Sequence, residues 1–360
     1  MKRILGIFLI TLALSTLVLL AGCGSKQEQP IANSDNGKSG ETITLKFNGI
    51  VPTNHYISIY SDQVFIKEVE ELSKGKVKIE YYPDYQLAKA ADMISAANSG
   101  VVDIVSACPS YISGKMPLSN VIMLPQAIPN ANVGSKVLWD LVSNKNSVIY
   151  KTDYEKNKLI PLTAATLPLY QVVTIDKKPI KSVEDLKGMK LRSAGGSQDL
   201  VIKHIGAVPV QMDRSEDYIS LQRGTIDGGL FNIPSLKPNK VNEVTRNYTT
   251  NANLSTFALV TEISERSWSK LTPEVKEILL KAGQAATESM AKEVDKLDQE
   301  AMKELDKQGF ASYTFKPEEE KKIKEMVAPV WDNWAADMKK LNFDGQKAID
   351  ELKEAMKKYN

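Results

Sequence analysis

The chain has 360 residues, and 46 Lys and Arg against 44 Asp and Glu leave it close to neutral, with no basic surplus to suggest a nucleic-acid partner. Two histidines and two cysteines are too few for a disulfide framework, and neither a His-Glu-x-x-His zinc spacing nor a Gly-x-Ser-x-Gly nucleophile elbow occurs. The length exceeds what one hydrophobic core usually covers, about 250–300 residues, so two lobes are expected.

Met1-Lys2-Arg3 precedes an apolar stretch from Ile4 to Leu20, the pattern of a secretory signal. The tetrapeptide Leu20-Ala21-Gly22-Cys23 resembles the lipobox of bacterial lipoproteins, which implies cleavage before Cys23 and lipid on its thiol and new amino group. An uncleaved span of about 20 apolar residues is the alternative, but Gly22-Cys23 followed by a polar tract fits processing better. Residues 24–41, rich in Ser, Gly, Asn, Lys and Gln, read as a flexible tether. With Cys23 lipidated, Cys108 has no disulfide partner, and the fold is held by its core.

From Thr42 a strand–helix scheme appears. Thr42–Phe47 alternates as a strand, Asp62–Leu72 has helical apolar spacing, and Val77–Tyr82 is a second strand ended by Pro83. A helix follows over Lys89–Asn98, then a β-rich run over Val101–Ala107. The second half repeats this with strand Met189–Ser193, helix Ser197–Ile205, strand Val208–Met212, helix Ser215–Arg223 and strand Thr225–Phe231. The joints Gly100-Val101-Val102-Asp103 and Gly224-Thr225-Ile226-Asp227 match, each with glycine where a helix ends and aspartate where a strand begins. The spacing predicts a long helix over Pro273–Gln308, interrupted only by Gly283, that braces both lobes, and more helix over Pro317–Asn360, where Trp331 and Trp334 serve packing.

In an open α/β sheet, ligands bind outside the carboxyl ends of the strands. Arg192 ends the apolar strand Met189–Ser193 and precedes the turn Ala194-Gly195-Gly196-Ser197 into a helix, a place suited to a carboxylate. That glycine turn is too short for a nucleotide loop and lacks its lysine.

Together these stretches, with Gln86-Leu87, Leu124-Pro125, Lys178-Pro179-Ile180, Pro209-Val210, Ser215-Glu216 and Leu221-Gln222 in their order, resemble the DctP-type substrate-binding proteins of tripartite ATP-independent periplasmic (TRAP) transporters. The resemblance implies an α/β, two-lobe periplasmic binding protein fold, with the ligand cleft between the lobes and a long C-terminal helix spanning both. It also implies an organic acid as ligand and two integral membrane subunits as partners. No enzyme activity, cofactor, metal or nucleic acid enters, and a monomer is expected at the cell surface or in the periplasm, held to the membrane through Cys23. The expected division is signal peptide 1–22, linker 23–41, lobe I over 42–167 with about 254–295, and lobe II over 168–253 with about 296–360.

By position, Arg192 takes the place of the family's carboxylate-binding arginine and Asn232 that of a ligand-contacting amide. Gly195 and Ser197 lie where the loop after the arginine approaches ligand, while Cys108, Tyr111 and Tyr56 come from the first lobe. A lone cysteine is also commonly a buried, inert thiol. Where many relatives carry a second arginine this chain has Tyr170 or Gln171, and where an aromatic is common it has Arg214 after Asp213. Arg214 either supplies the missing cation or pairs with Asp213 near the surface. His55 stands in a loop that can reach the cleft, and His204 lies on a helix; together they do not make a triad. A sensor presenting an acid to a receptor kinase is the runner-up reading, and an extracellular hydrolase the third.

Overall fold

The computed structural model describes residues 42–359. The signal peptide, the lipid attachment at Cys23 and the tether lie outside the described residues.

Two sheets organise the chain. The first has the order β2-β1-β3-β10-β4, from β1 (Ile43–Asn48), β2 (Val77–Tyr82), β3 (Ile104–Ala107), β4 (Leu159–Thr166) and β10 (Ala258–Ser264). The second has the order β11-β9-β5-β8-β6-β7, from β5 (Gln171–Thr174), β6 (Lys190–Ser193), β7 (Val208–Gln211), β8 (Gly228–Phe231), β9 (Asn247–Thr249) and β11 (Ala311–Tyr313). In each, three parallel strands come from the βαβ pattern seen in the sequence: β1 pairs with β2 and β3, and β6 pairs with β7 and β8. The remaining strands join antiparallel, except β11, which lies parallel to β9.

The matched joints prove to be matched clamps. The Asp103 N–H donates to the Lys46 carbonyl at 3.0 Å while Oδ2 of Asp103 accepts from the Lys46 N–H at 2.8 Å. Asp227 makes the same two bonds to Lys190, at 2.8 and 2.9 Å. These clamps also explain why both strands begin later than the residue pattern suggested, at Ile104 and Gly228. After Gly100 the N–H groups of Val101 and Val102 turn back to Ala96, and after Gly224 that of Thr225 turns back to Ser220, so these residues close the preceding helix.

Between the sheets the chain crosses in two adjacent segments. Leu167 donates to Phe257, Tyr170 to Ser255 and Leu254 to Tyr170, at 3.0, 2.7 and 3.2 Å, which makes 167–170 and 254–257 a paired double crossing. Two such strands, bonded mainly to each other, are where a hinge between lobes belongs.

Of the helices, α1 (Gln63–Leu72), α2 (Met93–Ser99), α3 (Ala131–Ser143) and the single turn α6 (Glu265–Trp268) flank the first sheet, and α4 (Ser197–His204) and α5 (Asp217–Gln222) belong with the second. The predicted brace is α7 (Pro273–Lys307), about 50 Å long at 1.5 Å per residue. Its first half packs on α1, α3 and β4, whereas near its end Lys237 meets Glu304, Asp306 accepts from the Tyr248 hydroxyl at 2.7 Å, and Leu305 enters the core of the second lobe. The predicted helical tail is three helices, α8 (Pro317–Val327), α9 (Val330–Lys340) and α10 (Gly345–Met356). The helices α8 and α9 lie on α4, while α10 lies on α3 and the turn Leu118–Met123. Trp334 is buried in this layer, and the indole of Trp331 donates to the Pro125 carbonyl at 3.1 Å. Among the described residues no helix is long and apolar enough to cross a membrane.

Gly283, the one weak helix former noted in α7, sits where the helix touches β4, and a Cβ there would run into the Leu162 carbonyl. Gly283→Ala therefore trades better helix propensity for a collision with backbone that has no side chain to yield. A net loss of about 1–3 kcal/mol is expected from overpacking, read as a lower midpoint in urea unfolding.

Candidate functional site

Where the double crossing meets the ends of β6 and β8, the lobes enclose a cavity of about 30 Å³, room for two or three waters. Arg192 reaches it because β6 points it there and because Gly229, beside it in β8, has no Cβ to strike its own. The guanidinium is 2% exposed. Its Nε donates to Asp217 Oδ1 at 3.0 Å, its Nη2 donates to the Tyr111 hydroxyl at 2.9 Å, and the rings of Tyr111 and Phe231 lie 5.8 and 5.6 Å from it. Burial opposes the charge, and Asp217, Tyr111 and Tyr170 outweigh it, so the group stays ionised. For Asp217 burial wins, lifting its carboxyl above the ordinary range against the pull of Arg192. Nη1 makes no hydrogen bond among the described residues, which leaves one edge of the guanidinium for a planar anion.

The apolar walls come from Ile50, Val51 and Ile57 of the first lobe, Leu167 and Phe257 of the crossing, and Phe231. Phe257 stacks nearly parallel on Tyr170, ring centres 6.2 Å apart, and meets Tyr111 edge-on. Asn232 binds the lobes together: its Oδ1 accepts from the Tyr56 hydroxyl at 2.9 Å and from the Ser235 N–H at 3.1 Å, while its amide reaches the Tyr170 hydroxyl at 3.4 Å.

Arg214 does not pair with Asp213, although it lines the cavity. Asp213 accepts instead from Ser215 and caps the turn Arg214–Glu216, and the Arg214 side chain crosses the cleft. There its Nε donates to the Ile50 carbonyl at 2.8 Å, its Nη2 pairs with Asp84, its Nη1 donates to Asn239, and its guanidinium lies over the Tyr85 ring. Asp84 and Tyr85 both have positive φ, so this latch engages a tight turn of the first lobe.

Of the residues singled out by sequence, Arg192, Asn232, Arg214, Tyr170 and Tyr111 line the cavity together, with Tyr56 one bond behind. His55, which the sequence put in a loop able to reach the cleft, lines it too, and the others lie elsewhere. Gln171 bonds Asn253, Thr249 and the Ala252 N–H. Ser197 donates to the Asn120 carbonyl, and Gly195, with positive φ, lies against Gln211 and the Ser110 carbonyl, so both serve contact between the lobes. Cys108 is buried beside Ser110, its thiol pushed up to about 12 by burial. Asp217, Ser235, Asn239, Phe231 and Phe257 also line the cavity and carried no signal apart from the family pattern, because a carboxylate on a short helix or a phenylalanine in an apolar strand looks like any other. His204 meets Asn333, and neither histidine bonds a hydroxyl or a carboxylate. No cluster able to hold a metal occurs among the described residues.

The family model for bacterial extracellular solute-binding proteins, family 7 (DctP), matches residues 47–337. The chain belongs to that family. This solute receptor is 28% identical to the sialic acid-binding periplasmic protein SiaP of Vibrio cholerae, over 67% of this chain and 73% of that one. A TRAP solute-binding protein of Rhodoferax ferrireducens, solved with copurified benzoate, superposes with a TM-score of 0.80 at 26% identity, over 88% of this chain and 98% of that one. A marine metagenome TRAP protein solved with 3-hydroxybenzoate reaches 0.82 at 23% identity, over 89% and 99%, and shows the shared fold. The receptor thus has the two-lobe TRAP architecture, in a family that binds solutes.

Arg214→Ala removes two bonds across the cleft, to Ile50 and Asp84. Small-angle scattering of the variant is expected to show a larger radius of gyration than wild type, because the closed arrangement loses population. An equal radius would place the latch elsewhere.

Proposed function

We propose that this receptor captures an organic acid between its lobes and, anchored outside the cytoplasm by lipid on Cys23, delivers it to the membrane subunits of an ion-gradient-driven TRAP transporter. The observation that carries the reading is the buried, ionised Arg192 with an unused edge facing an inter-lobe cavity. Asp217 engages only its Nε, and the planar donors left over match a carboxylate. The relatives point the same way, since sialic acid and benzoate are both carboxylic acids. In the mechanism, acid entering the open cleft meets Arg192 from the second lobe. Tyr111, Tyr56 and the turn bound by Arg214 then close from the first lobe, and the transporter reads the closed form.

A thermal-shift screen of protein beginning at Ser25 against organic acids, neutral sugars and amino acids tests this. An acid at a thousand times its Kd is expected to add about 4 kcal/mol of stability, and Arg192→Ala is expected to lose that shift. A shift indifferent to Arg192, or one produced only by neutral compounds, would refute carboxylate binding. Anchoring has its own test: Cys23→Ser, expressed in the full chain, is expected to take up no labelled fatty acid and to leave the membrane fraction.

A further inference from the structure

We propose that His55 reads the ligand through its Nε2–H, so that the receptor selects compact monocarboxylates bearing a second, neutral oxygen acceptor, a hydroxyl or keto group. This deepens the acid-binding reading above and rests on it.

His55 is 1% exposed, lines the cavity and stacks on Tyr56 with ring centres 4.6 Å apart. Its Nδ1 accepts from the Ile57 N–H at 3.2 Å. That bond decides the tautomer: with Nδ1 an acceptor, the proton of the neutral ring sits on Nε2. Burial, and after it the charge of Arg214, lowers the imidazole to about 3, so the ring stays neutral. Nε2 is itself buried and has no partner among the described residues. A buried N–H without an acceptor is rare in native proteins and calls for an explanation. On the wall of a ligand cavity, the explanation is an acceptor that arrives with the ligand.

The position of the ring says which acceptor. The charge that acts on His55 is that of Arg214, whereas Arg192 is surrounded by Asp217, Tyr111 and Tyr170. His55, Arg192 and Arg214 line one cavity, with Ile50, Ile57 and Phe231 among its apolar groups. Arg214 offers the ligand no free charge: every nitrogen of its guanidinium already donates to protein, and Asp84 balances it. A neutral donor without a free cation beside it suits a neutral oxygen, so the second group is a hydroxyl or keto oxygen and not a second carboxylate.

The test compares matched acids by calorimetry: benzoate against its 3- and 4-hydroxy forms, and pentanoate against 4-oxo- and 5-hydroxypentanoate. In wild type at least one oxygenated acid is expected to bind about tenfold or more tightly than its parent. His55→Asn keeps an acceptor near Nδ1 for Ile57 but removes the ε donor, and is expected to abolish the preference, the ratio of the two affinities being the readout. His55→Gln restores a donor near Nε2 and is expected to recover part of it. Because the chain has only two histidines, ¹⁵N spectra of wild type supply a readout independent of any variant, in which the His55 Nε2 resonance moves with the oxygenated acid and not with its parent. Arg192-dependent binding of plain and oxygenated acids with equal affinity, or a preference surviving in His55→Asn, would overturn the role of His55 and leave acid binding standing. If no acid binds, acid binding itself falls and this inference with it.

Discussion

Burying a guanidinium is the constraint around which the cleft is organised. An arginine withdrawn from water needs charge and hydrogen-bond partners from its surroundings, and Arg192 draws them from both lobes: Asp217 and Phe231 from its own, Tyr111 from the other. Asp217 compensates the charge through Nε alone, which holds the side chain in place without filling it. The Tyr111 contact exists only while the lobes are together. The same buried ion thus draws its partners from both sides of the cleft.

The rest of the fold joins the lobes in two ways. The helix α7 ties the cores of both lobes to one rigid rod, and the paired crossing 167–170 and 254–257 is the narrow connection that can flex beneath it. Tyr170 and Phe257 lie on that crossing, so the hinge is also a wall of the cavity. Across the mouth, Arg214 holds the turn at Asp84, and Tyr56 holds Asn232.

The two βαβ halves were legible because their signals are local. Apolar spacing, the helix-ending glycines and the aspartates after them occupy a few consecutive residues, and Asp103 and Asp227 perform in space the matched duty that their matched joints suggested. Arg192 was legible for the same reason, as a charge at a strand end before a glycine turn. The strand β10 was not: Ala258–Ser264 is buried on both faces, so it lacks the alternation that marks a strand, and its partners β3 and β4 lie far away in the chain. Arg214 shows the limit most plainly. Its sequence neighbour Asp213 was the obvious partner, yet the bond goes to Asp84, 130 residues earlier. Gln171, which with Tyr170 was the candidate for the place of a family arginine, accepts instead from Thr249 at the end of β9 and from the Ala252 N–H.

What the sequence determined by itself was therefore the repertoire of parts: two α/β halves, a long brace helix, a family pattern and one arginine near a strand end before a glycine turn. Only the tertiary structure decided which side chains share the cavity, that Arg214 latches the lobes, and that the Nε2 of His55 stands without a partner. The division follows from range. Helices, caps and strand starts arise from interactions within a few residues, whereas a binding cleft between lobes is composed of long-range contacts, and the state of a buried polar group depends on every neighbour packed around it.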